Sequence, residues 1–159
     1  ALADEFRIMA RISSLAVITL DEEIAMCQAH LNVMQYRTNV RYQLVVTSDE
    51  SMLNIPPGII LTLLENAISH GSSDMEKVEF SLSCSSISNS AKKTSCTLIF
   101  TSPFSQQMKR KNTGVNVINL GIGNEYITAR LREMYGENWQ FSSRQDGKLW
   151  QTKIMLPFL

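Results

Sequence analysis

The stretch Leu63–Gly71, LLENAISHG, brings three chemically different side chains close together. Asn66 offers a neutral oxygen of the kind that suits a hard cation such as Mg2+. Glu65 offers a carboxylate able to accept or orient a proton. His70 can donate a hydrogen bond to an anionic oxygen. Residues three and four apart share a helix face. On a helix, therefore, Thr62, Asn66 and His70 form a polar row beside the apolar stripe Ile60, Leu63, Leu64, Ala67 and Ile68, with Glu65 and Ser69 close by. Glu65, Asn66 and His70 are expected to converge on one cleft. A plainer reading stands beside this one: an amphipathic helix whose terminal histidine is favoured by the helix dipole.

A second segment, Asn119–Leu131, reads NLGIGNEYITARL. Gly121 and Gly123 are expected to precede a helix. Glycine lets backbone approach a phosphate closely, and a helix start favours an anion. A flexible loop that merely ends in a helix has the same pattern. The basic triplet Lys109–Arg110–Lys111 reads as a solvated loop face or as a phosphate clamp.

The elements that must position these residues follow from hydrophobic periodicity. Leu2–Val17 has helical spacing. Thr19 with Glu22 forms a capping box that starts a second helix, with the stripe Ile24, Cys27, Leu31 and Met34, ending near Arg37–Asn39. Val40–Thr47 alternates as a half-buried strand. Pro56 and Pro57 suit a helix start, the helix runs over Gly58–His70, and Gly71 terminates it. Val78–Cys84 and Cys96–Thr101 are strands of a hairpin whose long polar tip is Ser85–Thr94. Pro103–Gly121 reads as a loop and Asn124–Tyr135 as a helix. Strands Trp139–Arg144 and Leu149–Leu156 turn at Asp146–Gly147. This order predicts an α+β two-layer sandwich with a largely antiparallel sheet and helices on one face.

The 159 residues suit one domain, and fifteen basic side chains balance fifteen acidic ones. That balance argues against a broad nucleic-acid-binding face. Cys27, Cys84 and Cys96 are odd in number and lack metal-like spacing, so they read as reduced, buried small hydrophobes. No apolar run reaches the roughly 18 residues of a membrane span.

Taken together, these motifs resemble those of LytS-type sensor histidine kinases. Leu63–Gly71 resembles the N-box of the GHKL ATPase superfamily, and Asn119–Leu131 resembles its second glycine box. Val17–Arg37 is similar to the "V-x-L-x-x-E" segment of these kinases. Ile55–Pro57 matches the proline pair that opens the N-box helix, and Arg130–Leu131 with Tyr135–Gly136 matches the closing "R-L…Y-G" stretch. The resemblance implies a Bergerat-type ATP-binding fold over residues 19–159, preceded at 1–18 by the end of a dimerisation helix region. It implies ATP and Mg2+, with Asn66 on the metal, Glu65 as base or orienting group, His70 near the phosphates, Gly121 and Gly123 in the phosphate loop, and Phe104–Leu120 as the ATP lid.

It also places the phosphoacceptor histidine upstream of Leu2; neither His30 nor His70 occupies that motif. The first glycine box departs from the family. Its adenine-binding aspartate falls at about Thr101 and its glycine at about Pro103. A threonine hydroxyl there would accept from the adenine amine more weakly than a carboxylate does. In the second box, leucine becomes Asn124 and asparagine becomes Tyr126.

The function implied is transfer of the ATP γ-phosphate to that upstream histidine, for relay to a response regulator. The setting implied is a homodimer joined through upstream helices, in the cytoplasmic part of a membrane-anchored protein. The alternative is a degenerate kinase-like module that regulates or scaffolds signalling with weak or no ATP binding. An ATPase of the chaperone or gyrase type is a third class, disfavoured by the kinase-like segment before the N-box.

Overall fold

The computed structural model describes residues 17–49, 53–71, 75–90, 92–103 and 121–158. The expected helix over Leu2–Val17, the lid Phe104–Leu120 and the triplet Lys109–Arg110–Lys111 lie outside this set, Val17 apart.

The first helix, α1 (Leu20–Thr38), starts where the capping box requires. The Thr19 hydroxyl accepts from the Glu22 N–H at 3.2 Å, and the Glu22 carboxylate accepts from the Thr19 N–H at 2.8 Å. Asp21, Glu22 and Glu23 place negative charge at the positive helix end. The helix stops at Asn39, which takes a left-handed conformation (φ 59°). Its buried row is Leu20, Glu23, Met26, Cys27 and Leu31, whereas Ile24 and Met34 are only partly covered.

Two short strands, β1 (Ile18–Thr19) and β3 (Asn54–Ile55), pair antiparallel and were not expected from the sequence. Ile18 and Ile55 face each other in this pair and both are buried. Together with the Leu20 N–H donating to the Leu53 carbonyl at 2.8 Å, they fasten the start of α1 to the start of the next helix. That helix is α2 (Ile59–His70).

The main sheet has the order β2-β4-β5-β7-β6, from β2 (Arg41–Ser48), β4 (Lys77–Asn89), β5 (Lys92–Pro103), β6 (Gln140–Asp146) and β7 (Leu149–Pro157). Among the described strands, only β2 and β4 run parallel, with α2 inside their connection; the other pairings are antiparallel. A parallel pair needs a crossover, and a helix is its usual form. The third helix is α3 (Gly121–Tyr135). This is the expected α+β sandwich, with helices over one face of a mostly antiparallel sheet.

The core lies between layers. Val78, Phe80 and Leu82 of β4, Leu98 and Phe100 of β5, and Ile154 and Leu156 of β7 point inward, where they meet Leu31, Leu64, Ile127 and Leu131 of the helices. Tyr42, Phe80 and Phe100 stack across three neighbouring strands, with centroid separations of 6.1 and 6.0 Å. All three cysteines are buried and none is in a disulfide, as expected. Burial pushes the Cys27 thiol well up from its ordinary range, and the nearby Glu23 and Glu65 carboxylates push the same way.

Three expectations need correction. The Ser85–Thr94 segment is not a long tip: β4 runs to Asn89 and β5 starts at Lys92, with a register shift between Ile87 and Ser88. Serine and threonine fit a pleated strand with one solvated face, so polarity there marked exposure rather than a loop. The last hairpin turns at Gly147–Lys148, one residue later than expected, because Asp146 still pairs with Leu149. Gly121 and Gly123 lie inside the first turn of α3 rather than before it. No described helix is long and apolar enough to cross a membrane.

Candidate functional site

The sequence Pro56–Pro57–Gly58 sets the start of α2. Gly58 is its N-cap at φ 89°, a backbone region that side chains disfavour. It has no side chain with which to cap the helix. The missing acceptor comes from α1. Glu23 Oε2 accepts from the Gly58 N–H at 2.9 Å, and Oε1 accepts from Ile60 and Leu61 at 2.9 and 3.0 Å. These are the donors that a helix start leaves without intrahelical partners. Burial raises the Glu23 carboxyl above its ordinary range, and the three backbone hydrogen bonds pull it back only in part.

Fixed in this way, α2 turns one face toward the sheet. Leu63, Asn66, Ala67 and His70 line a cleft, at the i, i+3, i+4 and i+7 spacing of a single helix face. Phe100 and Ser102 of β5 and Trp150 and Thr152 of β7 form the floor, and Asn124 of α3 completes the lining. Cross-strand register puts Ser102 opposite Trp150 and Phe100 opposite Thr152. The Thr152 hydroxyl lies 2.9 Å from that of Ser143, and either oxygen can be the donor. The α3 side is pinned by Tyr126, whose hydroxyl donates to the Pro57 carbonyl at 3.0 Å. α1 and α3 thus both hold the Pro57–Gly58 turn.

The structure brings Asn66 and His70 together at this cleft, at the sheet side of α2 and close to the first turn of α3 that holds Gly121 and Gly123. It does not bring Glu65 or Thr101 there. At about 100° per residue, Glu65 falls nearly opposite the cleft-lining row, on the α1 side, where its charge acts on Cys27. The expected convergence of Glu65 with Asn66 and His70 is corrected accordingly. Thr101 follows the strand's alternation onto the outer face, where its hydroxyl bonds to that of Ser81. Ser102, which the sequence reading passed over, is the residue of that pair facing the cleft, and it is buried at 4% exposure. Inward Cys96, Leu98 and Phe100 already fix the parity that turns Ser102 inward. Trp150 and Thr152 were also missed; their signal was the same period on β7. Glu23 had no such signal, since its partners are backbone groups distant in sequence.

Among the described residues, no group of three or more His, Cys, Asp or Glu could hold a metal ion. Mg2+ is commonly bound through few protein oxygens plus substrate phosphates. The single amide oxygen of Asn66 fits a cation carried by a phosphate ligand, not a resident all-protein site.

No protein-family model matches the chain, and no curated protein does. Solved structures do. The catalytic domain of histidine kinase ThkA is 12% identical and superposes with a TM-score of 0.58, over 89% of this chain and 94% of that one. Acinetobacter baumannii histidine kinase AdeS is 11% identical at a TM-score of 0.60, over 99% of this chain and 77% of that one. ThkA in complex with the response regulator TrrA is 13% identical at 0.52, over 90% of this chain and 41% of that one. The fold is therefore that of histidine kinase catalytic domains.

Proposed function

We propose that the chain is the nucleotide-binding catalytic domain of a LytS-type sensor histidine kinase, which passes the γ-phosphate of ATP to a histidine on an upstream segment for relay to a response regulator. The observation that carries this is the meeting of Asn66, His70 and the α3 start around one cleft with an aromatic and hydroxyl floor. In this reading Asn66 orients phosphate-bound Mg2+, which neutralises phosphate charge. His70 donates to a phosphate oxygen, and the backbone of Gly121 and Gly123 adds the anion-favouring field of a helix start. Phosphoryl transfer depends mainly on positioning and charge neutralisation. Glu65, on the far side of α2, has no part in the transfer. A homodimer through upstream helices, in the cytoplasmic part of a membrane-anchored receptor, completes this reading. ThkA, which shares the fold, has been captured with a response regulator.

One observation favours a second reading, a degenerate regulatory module: no carboxylate lines the cleft among the described residues, and the hydroxyls of Ser102 and Thr152 lie at its floor. Calorimetric titration with Mg-ATP separates the two, run with the Asn66→Ala variant and without Mg2+. Binding that needs both Mg2+ and Asn66 supports the kinase reading. A folded domain that binds no ATP at millimolar concentration sinks it and leaves the regulatory module.

A further inference from the structure

We propose that the cleft accepts purine nucleoside triphosphates with little preference between adenine and guanine, and that Ser102 sets this tolerance. The inference rests on the nucleotide reading above and names the ligand class of the same site.

The argument begins with the cleft's two ends. Its floor carries the aromatic rings of Phe100 and Trp150, and its edge carries Asn124 in the first turns of α3. A flat base belongs against the rings and phosphates belong at the helix start. The polar groups beside the rings are the hydroxyls of Ser102 and Thr152, which are 4% and 3% exposed. Adenine presents an amino donor at the ring position where guanine presents a carbonyl acceptor. An ionised carboxylate only accepts, so it selects the amine. A serine hydroxyl donates or accepts by rotating about its C–O bond. Thr152 has the same freedom, because either oxygen of the Ser143–Thr152 pair can be the donor. Reversing that one bond exchanges a hydrogen for a lone pair at the floor. Among the described residues, no carboxylate or ammonium group lines the cleft.

The test is calorimetric titration of the whole chain with Mg-ATP and with Mg-GTP, for the parent and for Ser102→Asp and Ser102→Ala. The two parent Kd values are expected to agree within fivefold. Ser102→Asp should shift the GTP-to-ATP Kd ratio toward ATP by at least tenfold. Ser102→Ala should weaken both nucleotides by about the same factor, in the range of about 3–10-fold. It also keeps the proposal testable if the aspartate variant does not fold. A parent preference above fivefold, a smaller shift in Ser102→Asp, or unchanged binding in Ser102→Ala overturns the proposal. ATP-only binding overturns it while leaving the kinase reading intact, whereas binding of neither nucleotide removes both.

Discussion

Glu23 on α1 holds the N-cap residue of α2: its carboxylate accepts the Gly58 N–H at 2.9 Å across 35 positions of sequence. With Ile60 and Leu61 on the other carboxylate oxygen, a residue of one helix caps the next. Removing it in Glu23→Ala strips three donors, two of them buried, of their acceptor. The expected loss is about 2–3 kcal/mol in urea unfolding. A loss below about 0.5 kcal/mol would show that water replaces the cap at no cost.

The same group gives a pH signature. Its carboxyl is raised in the folded state by burial. An acid raised on folding contributes stability that is fully present below its unfolded value and is lost as pH rises through the folded value. Glu23→Gln has no such titration. Between pH 4 and pH 7 the variant should therefore gain stability relative to the parent, read as the difference in Tm. A gap moving the other way would mean that the three N–H groups outweigh desolvation.

Tyr126 and Gly58 are packed tightly enough to be coupled. A Cβ on Gly58 would lie 3.0 Å from the Tyr126 hydroxyl oxygen, in a backbone conformation with φ +89°. Gly58→Ala is expected to cost at least about 1–2 kcal/mol from backbone strain, and Tyr126→Phe about 1 kcal/mol from the lost bond to Pro57. In the double variant the alanine should cost less, because the oxygen it meets is gone. A double-mutant cycle checks this, and strictly additive losses would refute the contact.

Gly71 ends α2 without a left-handed turn: its φ is −74°. What demands glycine there is space, since a Cβ would sit 2.9 Å from the Ala67 carbonyl oxygen. Gly71→Ala must therefore displace the last turn, which carries His70. The expected result is a loss of about 1–3 kcal/mol in unfolding together with weakened nucleotide binding. Unchanged affinity would separate His70 from the cleft chemistry.

Phe80, at 1% exposure, lies between Tyr42 and Phe100 in the stack across β2, β4 and β5. Phe80→Ala should cost about 3–5 kcal/mol, measured by chemical denaturation. A loss under 1 kcal/mol would mean that the two neighbouring rings close the gap.

Where local chemistry decides structure, the sequence was readable. Thr19 and Glu22 announce α1, Pro56 and Pro57 announce α2, and alternation announces β2. The row through Asn66 and His70 followed from helical spacing alone. Reading failed where the deciding partner is distant or where polarity imitates a loop. The β1–β3 pair joins residues far apart in sequence, and Glu23 caps a helix that begins after two intervening strands. The serines of β4 looked like a connection because one face of that strand meets water. Glu65 adjoins Asn66 in sequence, yet one helical step separates their faces. The motif's adenine position falls at about Thr101, whereas strand parity turns Ser102 toward the cleft.

The cap on α2 also changes what its first amides report in hydrogen exchange. Donors at a free helix end exchange quickly as the end frays. The amides of Gly58, Ile60 and Leu61 are shielded by the carboxylate of another helix, so unwinding the end of α2 is not enough to free them: Glu23 must leave as well. Their exchange clocks the separation of α1 from α2, a sub-global opening readable residue by residue.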